Sequence, residues 1–207
     1  MTIDPRRIEA ALQPHYSATV VRPSDPLYVL ATGFYRAASD AQPSAMRALT
    51  SVALSSIEDL IAHASITFAS FIVLSPADVA DATTECVALA HQFQHRSTAI
   101  RDGFLQSVTD YTSGELRAQR EAGASAAGLW LRYVLTGDLP ADAPTLGDLY
   151  HLDAGDAAMA RQIIAAHLAT IRAGVVPNLD VCVVLARWFH AQTDIPADAL
   201  ARVAKVP

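Results

Sequence analysis

The residues of this chain best suited to chemistry are His91 and His95, four positions apart, with Glu85 a turn and a half earlier. Two imidazoles one helical turn apart can share a metal ion on one face of a helix. Counting back across a turn at Ser75 brings Glu58, Asp59 and His63 into the same axial band, where they would supply the second half of a di-metal site. Rotation argues against this. At about 100 degrees per residue, with Cys86 as the centre of an apolar seam, His91 lies about 140 degrees and His95 about 180 degrees away. Both point opposite the seam, and Asp59 and His63 fall outside the apolar arc centred on Ile57. The Glu-x-x-His spacing of bundle di-iron sites is also missing from these residues. The expectation is a solvated or partner-facing histidine pair and no metal, with His91 and His95 the candidates if a metal were bound.

A second chemistry is a small-molecule-binding or enzymatic pocket between helices, lined by Trp130, Tyr133, His167, Trp188 and His190. Such side chains pair apolar bodies with polar tips, which pockets use, although they also pack cores. No catalytic residue is nominated. No serine sits in a Gly-x-Ser-x-Gly elbow and no Gly-rich phosphate loop precedes a helix. Cys86 and Cys182 lie far apart at apolar helical positions, which reads as two reduced, buried thiols. No cofactor is expected.

The elements that must position these residues read as helices throughout. The organising stretch runs from Ser75 to about Ala122 as one long helix, opened by Ser75, Pro76 and Asp78. Val79, Ala82, Cys86, Leu89, Phe93, Ile100, Phe104 and Tyr111 recur at steps of three and four, which keeps one stripe toward a partner helix. Before it, Asp4-Pro5 opens a helix that ends before Pro14, and Ser24-Asp25-Pro26 opens a second, to about Ala38. Pro43 opens a third, whose Ile57, Leu60, Ile61, Ala64, Phe68 and Ile72 share one arc. After it, the small residues Gly123 to Gly128 predict a bend or restart, and Thr136 to Leu146 is the longest loop. Asp156 to Ala173 and Leu179 to Ala191, the latter capped by Asn178, are the last main helices, and no strand is expected.

The expected fold is therefore all-α: an antiparallel helical bundle on one long central helix, with a smaller helical C-terminal part. Residues 1–23 form an N-terminal helix and arm, 24–135 the bundle core, and 136–207 the C-terminal part, packed on the bundle.

Hydrophobic residues make up 52% of the 207 and charged residues 17%, which leaves little polar surface and predicts burial by self-association. The net charge of -6, with Lys and Arg scattered, disfavours nucleic acid as a partner. Residues 1–7 have no apolar run behind them, so a cytoplasmic location is expected. The apolar stretch from Leu60 to Ala77 is too interrupted to span a membrane. The function expected is a non-enzymatic, self-associating helical scaffold or adaptor that presents a helical surface to a protein partner or an apolar surface.

Two resemblances touch parts of the chain. Gly155, Asp156, Ala160, Ile164, His167 and Leu168 resemble the closing helix of the ligand-binding domain of GntR-type transcription regulators, where the histidine matching His167 would bind a metal. The family's earlier Asp and His ligands and its winged helix have no counterparts here, so the role is not carried over. Residues 45–122 are similar in texture to phasins, the helical proteins that coat polyester granules, which implies a coat-like role.

Overall fold

The computed structural model describes residues 1–41, 57–103, 106, 113–146 and 152–203. Helix α1 (Pro5–Tyr16) starts where the sequence marks it: the Asp4 carboxylate accepts from the Arg6 N–H and Pro5 takes the first turn. Its buried Ile8, Leu12 and Tyr16 follow one another by four. The helix runs past Pro14 because Tyr16 is anchored against Phe93, ring centroids 6.0 Å apart.

Three short strands correct the expectation that none exists. Strand β1 (Thr19–Val21) pairs in parallel with β3 (Phe71–Val73), and β2 (Ile66–Phe68) pairs antiparallel with β3. Strand β1 takes residues assigned above to the N-terminal arm, and β2 and β3 take residues assigned to the third helix, because a short apolar run fits a helical arc and a strand equally well. Their β-branched and aromatic residues, with Ala69 turning at φ 49°, settle it as a hairpin. Only α3 (Ile57–His63) of that helix lies among the described residues, and its start at Pro43 lies outside them. Helix α2 (Pro26–Ala41) covers the sheet with Tyr28 and Ala31 against Val21 and Val73.

The long central helix is also corrected. Ser75 and Asp78 hydrogen-bond to each other and close a turn, not a helix. The true N-cap of α4 (Ala82–Asp102) is Asp81, whose carboxylate accepts from the N–H groups of Thr83 and Thr84. The helix stops at Gly103, whose φ of 88° a side chain would resist. Ser113 then caps α5 (Gly114–Thr136), which folds back antiparallel along α4: Arg120 reaches Asp102, and Gly128 lies beside Val87. The small residues Gly123 to Gly128 do not interrupt α5. They let it approach, for a Cβ on Gly128 would sit 3.2 Å from Val87 Cγ1 and 3.3 Å from the Val87 carbonyl.

Helix α4 is thus enclosed on two sides. Its seam residues Cys86, Leu89 and Phe93 are buried toward α1, and its opposite face meets α5. Helix α6 (Ala154–Arg172) packs along α5, with Asp156 against Gly114 at one end and Arg172 donating to the carbonyls of Pro140 and Ala141 at the other. Helix α7 (Asp180–Ala191) begins at Leu179, which supplies no side-chain cap, so Asn178 is not the cap expected. The neighbouring α4 caps it instead: Gln94 Oε1 accepts from the Val181 N–H, and the Ser97 hydroxyl donates to Asp180. Helix α8 (Ala197–Arg202) packs on α5. One apolar cluster joins Leu12, Phe93, Trp130, Leu168, Phe189 and Ala199 from α1 and α4 to α8. The fold is an all-α helical bundle with a small three-stranded sheet at its side. Among the described residues, no helix is long and apolar enough to cross a membrane.

Candidate metal centre

Antiparallel return of α5 along α4 brings Glu121 opposite His91 and His95. The carboxylate Oε2 of Glu121 lies 3.4 Å from His95 Nε2 and 3.6 Å from His91 Nε2, and the two Nε2 atoms are 3.0 Å apart. These three ligand atoms form a compact triangle, the one group of three or more potential metal ligands found among the described residues. The rings meet edge-on, at 68° with centroids 4.8 Å apart. At 3.0 Å one Nε2 carries a hydrogen and donates while the other accepts, so the pair shares one proton where a cation would replace it.

His91 and His95, expected to be solvated or partner-facing, are instead turned toward α5 of the same chain. Their side chains are 19% and 13% exposed, and that of Glu121 is 5% exposed. The rotation argument placed them correctly opposite the Cys86 seam. It failed because α4 has a second partner on that side.

Burying a carboxylate is costly unless it is paired. Burial pushes the Glu121 carboxyl up, and the imidazoles of His95 and His91, when they carry a proton, more than reverse that and hold it well below the usual carboxylate range. Burial lowers the His91 imidazole, favouring the neutral form whose lone pair can bind a metal. An ionised carboxylate beside a neutral imidazole is the state a cation requires of its ligands.

The other residues nominated for metal stay apart from this centre. Glu85 pairs with Arg22, N to O 2.6 Å, and Arg22 also holds Glu9 at 2.7 Å. Glu58 pairs with Arg36, and His63 lies against the Asp59 carbonyl within its own helix. Glu121 was missed because a single helix from 75 to 122 carries it about 40 Å along the axis from His95. One signal was present: Ala118, Glu121, Ser125 and Gly128 are spaced by three and four, which puts an acid on a seam of small residues.

The five residues nominated for a pocket are placed as follows. Trp130 is buried edge-on to Phe189, and Trp188 packs on the same ring with the Arg7 guanidinium 5.5 Å above it. Tyr133 and His167 are half-buried on different helices, and His190 is exposed. A cleft of about 380 Å³ beside Leu129, Arg132 and the loop from Asp138 to Pro144 has none of the five in its lining. Burial pushes the Cys86 thiol up to about 12 and the Cys182 thiol well above its ordinary value, so neither offers a thiolate at neutral pH.

Comparison with family models, with curated proteins and with solved structures finds no match to this chain.

Proposed function

We propose that this protein is a metal-binding helical bundle whose His91, His95 and Glu121 hold one divalent first-row cation of the zinc class. The observation that carries this is the triangle itself. With metal–ligand distances of about 2.0–2.1 Å, tetrahedral zinc places its ligand atoms about 3.3 Å apart. The three atoms stand at 3.0, 3.4 and 3.6 Å, held there by the fold. Two histidines and a carboxylate also make the facial triad of non-haem iron, whose octahedral cis ligands stand about 3.0 Å apart. The two longer edges favour the tetrahedral ion. Bound there, the cation cross-links α4 to α5, the two helices on which the bundle is built.

Calorimetric titration of the metal-stripped chain with zinc tests this, run in parallel with ferrous iron and manganese. The expected result is one zinc per chain, lost in the His95→Gln and Glu121→Gln variants while their helical circular dichroism is kept. Zinc that binds the variants as tightly as the parent would refute it.

A second reading, a self-associating scaffold, is favoured by α2. Its Tyr28 and Ala31 pack on the sheet, while Leu27, Val29, Leu30 and Phe34 are between 49% and 71% exposed. Apolar residues on two faces of one helix support burial of the outer face against a second copy of this chain. Light scattering on the parent and on Leu30→Glu tests it. A parent that stays monomeric at high concentration counts against the scaffold.

A further inference from the structure

We propose that the outer face of α2 is the contact between two copies of this chain, and that the copies meet antiparallel about a two-fold axis at Gly33. This arrangement rests on the scaffold reading given second above and adds to it where the copies touch and in what orientation.

Periodicity lays out the face. At about 100 degrees per residue, Pro26, Val29, Leu30, Gly33 and Ala37 share an arc of about 100 degrees, on the side of α2 away from the inward-facing Tyr28 and Thr32. At the edge of that arc Phe34 reaches Phe68, ring centroids 6.0 Å apart, and Phe68 pairs across the hairpin with Phe71. Helix and hairpin therefore make one apolar ridge. Of the nine large apolar side chains exposed among the described residues, six lie on it: Leu27, Val29, Leu30, Phe34, Phe68 and Phe71, between 37% and 71% exposed.

Area selects the occupant. With roughly 150–250 Å² for a large side chain, those fractions leave on the order of 600 Å² of apolar surface. The largest patch on a typical monomer is about 300–600 Å², and a stable pair buries about 800 Å² of each partner. The ridge and the small residues between its side chains supply most of that. Its border offers little to a charged partner, because Arg36 is joined to Glu58, Nε to Oε1 2.7 Å. The basic flank with which a helix holds a lipid surface is thereby neutralised.

Shape sets the orientation. Val29 and Leu30 put the bulk in the first half of the arc, and Gly33 and Ala37 leave the second half small. Antiparallel helices crossing at Gly33 set Val29 of one copy against Ala37 of the other, bulk into space. Parallel helices would set bulk on bulk and gap on gap. A glycine inside a helix is destabilising relative to alanine, and Gly128 offsets this by letting α5 approach Val87. A Cβ on Gly33 would meet nothing within 4 Å, so the close approach it permits is left to a second copy.

Cross-linking and dilution read the two levels separately. Full-length chains carrying Val29→Cys and chains carrying Ala37→Cys are mixed, equilibrated under reducing conditions and then oxidised. The native Cys86 and Cys182 are fully buried and stay out of the reaction. A covalent dimer from the mixture alone is the expected result, since position 29 lies beside 37 of the other copy and about 12 Å along the axis from its 29. Light scattering across a dilution series should show a dimeric parent, and Gly33→Leu should weaken the dimer by about 10–100-fold with its helical circular dichroism kept. With a dimeric parent, Val29→Cys chains that cross-link to one another, a mixture that does not cross-link, or a folded Gly33→Leu that associates as tightly overturns this arrangement and leaves the scaffold reading intact. A parent that stays monomeric at every concentration defeats both, and its binding to neutral phosphatidylcholine vesicles would then assign the ridge to an apolar surface. Cross-linking decides the orientation even if Gly33→Leu does not fold.

Discussion

Replacing Glu121 by Gln keeps the shape of the side chain and removes its charge, which isolates what the carboxylate does for a cation. A ligand that binds only the folded state at a hundred times its dissociation constant stabilises that state by about 2.7 kcal/mol. For a chain of 207 residues each kcal/mol moves the melting temperature by about 2–4 °C, so zinc should raise that of the parent by about 5–11 °C. Losing a partner outside the coordination sphere costs about 10–100-fold in metal affinity, and losing the one anionic ligand costs at least the upper figure. At the same zinc concentration the variant then sits near its own dissociation constant, gains about 0.4 kcal/mol, and shifts by about 1 °C. The metal-free baselines differ for another reason. The substitution removes a buried carboxylate together with its attraction to His91 and His95, two effects of opposite sign. The informative quantity is therefore the zinc-induced shift in each protein, measured by differential scanning calorimetry against a metal-free control. Equal shifts in parent and variant would refute the assignment of Glu121 as a ligand, and no shift in either would refute the site.

Three further outcomes follow from the packing. Gly128→Val places branched carbon against Val87 Cγ1 and the Val87 carbonyl, so it should cost about 1–3 kcal/mol in urea unfolding and weaken zinc binding by parting α4 from α5. Gly33→Ala, with open space around it in α2, should instead stabilise by up to about 1 kcal/mol and leave zinc binding unchanged. Trp130→Ala empties the space beside Phe189 and should cost about 3–5 kcal/mol, measured by chemical denaturation. For His167, burial lowers the imidazole in the folded chain, so as pH falls through its ordinary value near 6.5 the unfolded chain takes up a proton that the folded chain refuses. The unfolded state then binds more protons and stability falls with pH; His167→Gln should flatten the decline between about pH 7 and 5, and an unchanged slope would exclude His167 as its source.

Several features could be read from local sequence because local chemistry decides them. Asp4-Pro5 starts α1 whatever the rest of the chain does, since a carboxylate that accepts from the first free N–H groups needs only its own neighbours. The spacing of Cys86, Leu89 and Phe93 marked a buried face for the same reason, and all three are fully buried. The all-α class followed from that periodicity. The strands did not, because Phe68 and Ile72 fit a helical arc until Ala69 turns back and pairs Phe68 with Phe71.

The candidate site lay beyond such reasoning. His91 and His95 were legible as a pair, one turn apart on one face of α4. Their partner was not, because which helix covers that face depends on where the chain reverses, and Gly103 with the Ser113 cap decides this. Continued as one rod, the chain leaves the histidines facing water. Folded back, the same residues close a triangle with Glu121, and the small seam through Gly128 sets how near α5 comes. The sequence by itself determined the Asp4 cap of α1, the buried face of α4 and the histidine spacing, all set by interactions within a turn or two. Only the tertiary structure decided that His91, His95 and Glu121 meet, because burial of α4 on both sides is a property of the whole core and outweighs what either face shows alone.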